Sequence, residues 1–324
     1  MKNQKFLIST MIGLIVSFGC ETEDEEALLP IVNTSEVIDI SYTAAICGGN
    51  IVSDEGSPVT ARGVCWDTIV NPTINLSTKT TDGSSDGTYI SSMDGLIANT
   101  TYYVRAYATN GAGTAYGNEI SFTTYNNNAI SDIDNNYYNI VTIGTQIWMK
   151  ENLKTTKYKD GSDISNINSN SEWIIQSTGA YCWYNNNIDN KSTYGALYNY
   201  YTVVDSRDIC PTGWHIPSNE EWNILETYLG GGGFAGGKLK EAGTEYWLSP
   251  NIGADNGSGF TALPNGYRYS SDGSFDKIGK YGFWWSSTEA YGEGRGRGLG
   301  YTDTGVFKDT YDKHYGFSVR CIKD

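Results

Sequence analysis

Thr101-Tyr102-Tyr103-Val104-Arg105-Ala106-Tyr107-Ala108-Thr109-Asn110 reads as one β-strand. Aromatic and β-branched residues dominate it, and a polar Asn-Gly turn closes it. Tyr102, Val104, Ala106 and Ala108 share one face at period two. Tyr103, Arg105 and Tyr107 take the other, more exposed face. On either side the same texture recurs. Short runs rich in Val, Ile, Thr and Tyr are predicted to be strands at 37–40, 44–51, 60–66, 88–93 and 117–124. Ser53-Asp54-Glu55-Gly56, Thr81-Asp82-Gly83 and Asn110-Gly111 supply the turns between them. Six or so short strands over residues 31–124 predict an all-β sandwich.

Past residue 124 the texture changes. Residues 125–136 are polar and without apolar periodicity, the mark of a linker. Asp132 and Asp134 fall within it, but no Asp-x-Asp-x-Asp-Gly loop with a closing Glu surrounds them, so no calcium loop is read there. Residues 137–324 form a second unit. Its opening, Asn139 to Met149, reads as a hairpin around Gly144. Ser218 followed by Glu221 is a capping box, and Trp222, Leu225 and Leu229 give the helix after it one apolar face. Gly230 and the glycines behind it stop that helix. A shorter helix is predicted at 238–242, and the remainder reads as short strands and long Gly/Asn/Ser loops, an α+β domain. Two domains agree with a length of 324 residues.

The first thirty residues concern address rather than fold. Lys2 and Lys5 precede an apolar run from Phe6 to Val16, then Ser17-Phe18-Gly19-Cys20. The run is too short to span a bilayer and fits a signal peptide, residues 1–19. A cysteine directly after small residues is similar to a lipobox, which predicts cleavage before Cys20 and lipidation on it. Residues 20–30 then form an acidic linker. Its Glu21-Thr22-Glu23-Asp24-Glu25-Glu26 resembles the export signal that carries Bacteroidetes-type lipoproteins to the cell surface. The expected location is the outer membrane, with the lipid as the membrane contact. A net charge of −15 without clustered Lys or Arg excludes nucleic acid as a partner.

Two family resemblances follow from longer phrases. Leu96, the 101–110 strand and Gly117-Asn118-Glu119-Ile120-Ser121-Phe122-Thr123-Thr124 resemble a bacterial fibronectin type III domain, as does Ala61-Arg62-Gly63-Val64-Cys65-Trp66. That resemblance implies that Leu96 and Tyr102 build the corner where the chain crosses between sheets. In the second unit the phrases are Trp148-Met149-Lys150-Glu151-Asn152-Leu153, Tyr194-Gly195-Ala196-Leu197-Tyr198-Asn199, Cys210 to Ser218 with Glu221-Trp222, Trp284-Trp285-Ser286-Ser287-Thr288-Glu289 and Gly316-Phe317-Ser318-Val319-Arg320-Cys321. Together they resemble the Fibrobacter succinogenes major paralogous domain. The resemblance implies a C-type-lectin-like fold related to the formylglycine-generating enzymes, and it implies a Cys210–Cys321 disulfide that ties the last strand to the domain centre. Cys47 and Cys65 are expected to pair across the sandwich, leaving Cys182 as a buried apolar residue.

Catalytic readings fail on the residues. The formylglycine-generating enzymes use two cysteines near the C-terminus, whereas Cys321 has no near companion. No Gly-x-Ser-x-Gly elbow or metalloprotease motif occurs, and His215 and His314 lack ligand spacing, so neither a metal nor a cofactor is expected. Leu263-Pro264-Asn265 lacks the acid of the calcium-dependent sugar loop. Trp214 and Trp222 are read as core, and His215 as a strand residue with a hydrogen-bonded ring. What remains is a non-enzymatic surface lipoprotein that binds a glycan or a surface protein through residues 267–315. Tyr291, Arg295, Arg297 and Tyr301 are the ligand candidates there, joined by Trp284 and Trp285, although core burial is favoured for both tryptophans. A structural or envelope-assembly protein is the alternative reading, and an unrecognised enzyme of the formylglycine-generating fold is another. The anchor is tested by mass spectrometry of the mature N-terminus: a diacyl- or triacyl-cysteine at Cys20 is expected, and an unmodified residue at any other start site refutes it.

Overall fold

The computed structural model describes residues 27–324, so Cys20 and the acidic run after it lie outside the described residues. The sandwich is built from a three-stranded sheet, Ile31–Thr34, Ala44–Ser53 and Gly87–Asp94, packed on a four-stranded one. In the second sheet Thr101–Asn110 pairs with Ala61–Asp67 on one side and with Gly113–Tyr116 and Ile120–Thr123 on the other. Tyr102, Val104, Ala106 and Ala108 face the interior as the period predicts, against Val32, Ala45, Met93 and Phe122. The backbone N–H of Ile97 donates to the Tyr102 hydroxyl at 3.0 Å, which fixes the corner beside the buried Leu96.

Three expectations for this domain need correction. Residues 37–40 form no strand: Asp39 has φ of 49°, which breaks extended pairing, and Ile38 keeps one bridge to Ile46. Tyr107 is buried, not exposed, because the chain around Thr80 covers it and takes its hydroxyl proton at 2.6 Å. Cys47 and Cys65 are both free. Cys47 points into the sandwich core, whereas Cys65 lies between the inward Val64 and Trp66 and so projects from the opposite face of its strand. Alternation alone keeps the two sulfurs apart.

Residues 125–136 are no solvated tether. The Asp132 carboxylate accepts from the backbone of Asp134 and Asn136, from the Asn136 amide and from the Tyr138 hydroxyl. Tyr125 stacks on Tyr137 with centroids 6.0 Å apart.

The second domain is closed by its own ends. The Ile140–Ile143 and Gln146–Met149 hairpin turns at Gly144, whose φ is +62°. Gln146–Met149 then pairs with Ile322–Lys323, which pairs with Trp214–His215. Cys210 and Cys321 are disulfide-bonded, and Cys182 is free and buried, both as expected. The helix Asn219–Tyr228 starts in the predicted capping box, and Trp222, Leu225 and Leu229 pack with Trp148, Phe260 and Trp284. The second helix is Ala235–Leu239, ending earlier than expected. Lys240 leaves it in extended conformation, and its buried ammonium donates to the carbonyls of Ile252, Gly300 and Asp303 at 2.8–3.0 Å.

The stretch 267–315, read as short strands and long loops, lies largely in a five-stranded sheet in the order Phe275–Ile278, Asn265–Arg268, Tyr281–Ala290, Glu293–Gly300, Phe307–Tyr311. Glycine explains the difference. Gly294, Gly296, Gly298 and Gly300 alternate along one strand, and register places Trp285, Phe283 and Tyr281 beside the last three of them. Phe307 and Tyr311 flank the same row from the other side. Rings fill the space of the missing side chains. A Cβ on Gly298 would sit 2.7 Å from the Phe283 ring, and one on Gly294 only 2.3 Å from the ring of the fully buried Tyr200.

His215 supplies a pH test. Its Nδ1 lies 2.7 Å from Asp324 Oδ1 and its Nε2 2.8 Å from Glu221 Oε1, a pairing that needs both ring nitrogens protonated. Burial pulls its pKa down, but the bonds to Asp324 and Glu221 outweigh burial and raise it above 6.5. Burial pushes Glu221 up, but hydrogen bonds from Ser218 and His215 outweigh it and hold the carboxyl below 4.5. The histidine contribution is complete below pH 6.5 and is lost as pH rises through the raised value. The glutamate contribution is complete above pH 4.5 and is lost as pH falls through the lowered one. Thermal unfolding of His215→Gln is therefore expected to differ most from wild type between about pH 4.5 and 6.5, with the gap closing at alkaline pH. A gap independent of pH refutes the charged bridge.

Candidate functional site

The recurrent phrases of the second domain meet at one side chain. Asn152 Oδ1 accepts from Trp284 Nε1 at 2.8 Å and from Arg320 Nε and Nη2 at 3.2 and 2.9 Å. Its amide donates to the Tyr194 carbonyl at 2.9 Å and to Ser318 Oγ at 3.3 Å. Ser318 also receives the Asn265 amide, and Asn265 bridges the backbone N–H and carbonyl of Phe283. Four of the five phrases are thus bound through a buried carboxamide, and the fifth reaches the same core through Trp222, 4.9 Å from Trp148. The polar residues of these phrases brace the fold, since a buried carboxamide must find all its partners inside.

The ligand candidates separate on inspection. Trp284 and Trp285 are 1% and 0% exposed and belong to two core clusters. Arg297 is buried too, which removes it as a surface contact: its Nε donates to Glu226 Oε1 at 2.7 Å, and its Nη2 reaches the Asn219 side chain at 2.8 Å. Glu226 is also paired with Lys308 Nζ at 2.6 Å. The reason lies in register, because Arg297 pairs with Trp284 on the face of the glycine strand that packs under the 219–228 helix, opposite the rings. Tyr301 is half-buried against the Trp222 core. Arg295 is partly exposed. Tyr291 is 95% exposed at the hairpin tip with φ of 55°, a left-handed conformation uncommon for an aromatic residue.

The glycine-strand face of the five-stranded sheet carries a further group of partly exposed rings. Phe283 stacks on Phe317 at 5.0 Å and on Tyr281 at 6.2 Å, with ring planes 21° and 25° apart. Phe307 adjoins Tyr281 at 6.1 Å and is itself exposed. Tyr269, Tyr311 and Tyr315 continue the row and are partly exposed. At one end Tyr200 and Trp285 are buried; at the other the row opens to solvent. The stretch 267–315 read from the sequence contains all of these rings except Tyr200 and Phe317, but the candidates picked within it were Tyr291, Arg295, Arg297 and Tyr301 with Trp284 and Trp285, not Tyr281, Phe283 or Phe307. The period-two glycines were the signal that would have placed them on one face.

Nucleophile and metal chemistry find little support among the described residues. Burial pushes the Cys65 thiol up to about 11 and the Cys182 thiol up to about 12, so neither is a thiolate at neutral pH. No group of three or more His, Cys, Asp or Glu among the described residues is placed to hold a metal. The described residues include several concavities. One of about 460 Å³ lies between the domains by Ile38, Tyr125, Tyr137 and Lys191. One of about 210 Å³ adjoins Asp132, Lys159 and Cys210, and one of about 130 Å³ adjoins Arg320.

Comparison with known proteins agrees with part of this picture. A sequence family described as the Fibrobacter succinogenes major domain matches residues 141–323. No curated protein matches the chain. Among solved structures, the third fibronectin III domain of the human KIAA0343 protein is 16% identical, covers 37% of this chain and 98% of its own, and has a TM-score of 0.25. A fibronectin type III domain from the human KIAA0970 protein is 16% identical, with coverages of 38% and 93% and a TM-score of 0.27. The sensor domain of the anti-sigma factor RsgI4 of Pseudobacteroides cellulosolvens is 14% identical, with coverages of 30% and 95% and a TM-score of 0.24.

The burial of Arg297 has a direct consequence. Arg297→Ala strands Glu226 in the core with Lys308 as its remaining cation, and is expected to cost about 3 kcal/mol, the low end for breaking a buried pair. Chemical denaturation measures it. A cost below about 0.5 kcal/mol, usual for surface substitutions, would return Arg297 to the surface.

Proposed function

The chain belongs to the Fibrobacter succinogenes major domain family, and from that premise we propose that it is a lipid-anchored, non-enzymatic protein of the outer cell surface that binds glycans through its second domain. The fold we assign to that domain is C-type-lectin-like. Support comes from the first strands pairing with the last and from the disulfide that ties the final strand to the residues before the main helix. The sandwich, of fibronectin type III kind, serves as the spacer between lipid and binding domain.

One observation carries the glycan reading: the row of partly exposed rings, Tyr281, Phe283, Phe307, Tyr311 and Tyr315, laid across a strand of alternating glycines. Glycines leave room for the rings, of which Tyr281 and Phe283 lie 25° from parallel while Tyr311 stands at 77° to Phe283 and 75° to Tyr315. Pyranose rings present flat C–H faces that stack on such surfaces, while tyrosine hydroxyls hydrogen-bond the sugar hydroxyls at the edge. A structural role in the envelope is the second reading, favoured by the phrases around Asn152 being wholly committed to the core.

Titration of the mature chain with neutral oligosaccharides separates the two. Saturable binding is expected, weakened at least tenfold, about 1.4 kcal/mol, in the Tyr281→Ala/Phe307→Ala double variant, with circular dichroism unchanged. Absence of saturable binding across a glycan array refutes the lectin reading and leaves the structural one.

A further inference from the structure

Three guanidinium groups are buried in the second domain, and one of them is short of partners. Arg268 donates to four oxygens: those of Gly273, Ile167, Asn168 and the Asn170 side chain. Arg297 has the Glu226 carboxylate and three further residues. Arg320, only 1% exposed, has just two acceptors: Asn152 Oδ1, shared between Nε and Nη2, and the Phe260 carbonyl, which takes Nη1. Both are neutral. A guanidinium carries five N–H protons, so two are left over. The Phe260 ring, 4.1 Å from the guanidinium carbon, and the Trp284 ring, 5.9 Å away, stabilise the cation in part, but they accept neither remaining proton. Burial lowers the Arg320 pKa to about 9, with the Glu151 charge opposing the drop, so the group is still charged at neutral pH.

Arg320 lines the cavity of about 130 Å³, together with Lys150, Glu151, Asn152, Thr193 and Thr261. The exposed lining is mostly apolar, with Leu263 part of it, and the donors set into it are the guanidinium, an ammonium and the Thr193 hydroxyl, since the Thr261 hydroxyl already donates to the Gly259 carbonyl at 3.3 Å. Glu151 is the exception, and its two oxygens already accept the backbone N–H and side-chain amide of Asn139 at 2.7 and 3.0 Å. With Lys150 and Arg320 against Glu151 the lining is net positive by one charge, inside a chain of net charge −15. At about 30 Å³ per water, the space exceeds what one or two waters fill. Lys150 and Thr193, at its mouth, are partly exposed, so the cavity is reached from solvent.

We propose that this cavity is a carboxylate-binding site, in which Arg320 and Lys150 hold the anion and Thr193 completes its hydrogen bonds. The carboxylate of a uronic acid and that of a free small organic acid present the same group. This site is independent of the aromatic face, and neither fails with the other.

Isothermal titration of the mature chain at neutral pH, with sodium glucuronate, sodium acetate, glucose and sodium sulfate as separate probes, tests it. Saturable binding of glucuronate is expected, with none of glucose. Acetate binding as tightly as glucuronate assigns the site to free organic acids, and acetate binding at least tenfold more weakly assigns it to uronates. Lys150→Ala is expected to weaken the bound carboxylate at least tenfold with an unchanged melting temperature, because the Lys150 side chain takes no part in the Asn152 network. Arg320→Gln removes the guanidinium and two bonds of that network, and the variant whose circular dichroism matches wild type is expected to bind neither carboxylate. The proposal is overturned by any of three results: neither carboxylate binds the folded wild type, sulfate binds as well as both, or Lys150→Ala binds carboxylate as wild type does.

Discussion

The carboxamide of Asn152 is the constraint on which the second domain rests. A single buried oxygen takes protons from an indole and twice from a guanidinium, while the amide on the same side chain reaches two other segments. Segments more than 160 residues apart in sequence are held by it, as the separation of 168 between Asn152 and Arg320 records. Such a group cannot be half satisfied without leaving a polar atom stranded in an apolar surround. Small helices and short strands, which have little cohesion of their own, are thereby given one arrangement. Substitution of Asn152 by Asp would keep the size and remove the two donors, so the residue type is as constrained as its place.

Around that point the aromatic side chains divide into two populations. Trp148, Trp222, Trp284 and Phe260 form a cluster beneath the main helix, sealed from water. Tyr281, Phe283, Phe307 and Tyr311 lie over the glycine strand on the opposite face of the sheet, where burial is partial. One strand of alternating Arg or Leu and Gly serves both: its side chains enter the core, and its bare side gives the rings room. The same alternation that buries Arg297 therefore creates the face to which ligand binding is ascribed.

Much of this was legible in the sequence, and the failures have physical causes. The 101–110 strand, the capping box at Ser218 and the Gly144 hairpin were read correctly because each is local: period, cap and turn lie within a few residues of one another. The Cys210–Cys321 bond was available only through family resemblance, as no local rule links residues 111 apart. The extent of the sheet within 267–315 was missed because glycine signals both loops and strands approached closely by rings, and only its spacing distinguishes the two. Arg297 was taken for a surface group because its partner, Glu226, is contributed by a helix some 70 residues earlier, beyond the reach of pattern reading.

The closing of the domain by its own ends bears on how the chain is made. Met149 and Trp148 form their strand pairing with residues 321 and 322, and Leu153 bonds the carbonyl of Val319. Until that final segment arrives, the sheet lacks its middle strand, Asn152 lacks Arg320, and Cys210 lacks its sulfur partner. A chain emerging residue by residue can complete its sandwich early but must keep the second domain open to the last few residues. Ordering so dependent on distant contacts is slow. Strand pairing, carboxamide and disulfide are thus all completed by one short segment, residues 318–323, which sets when the domain closes.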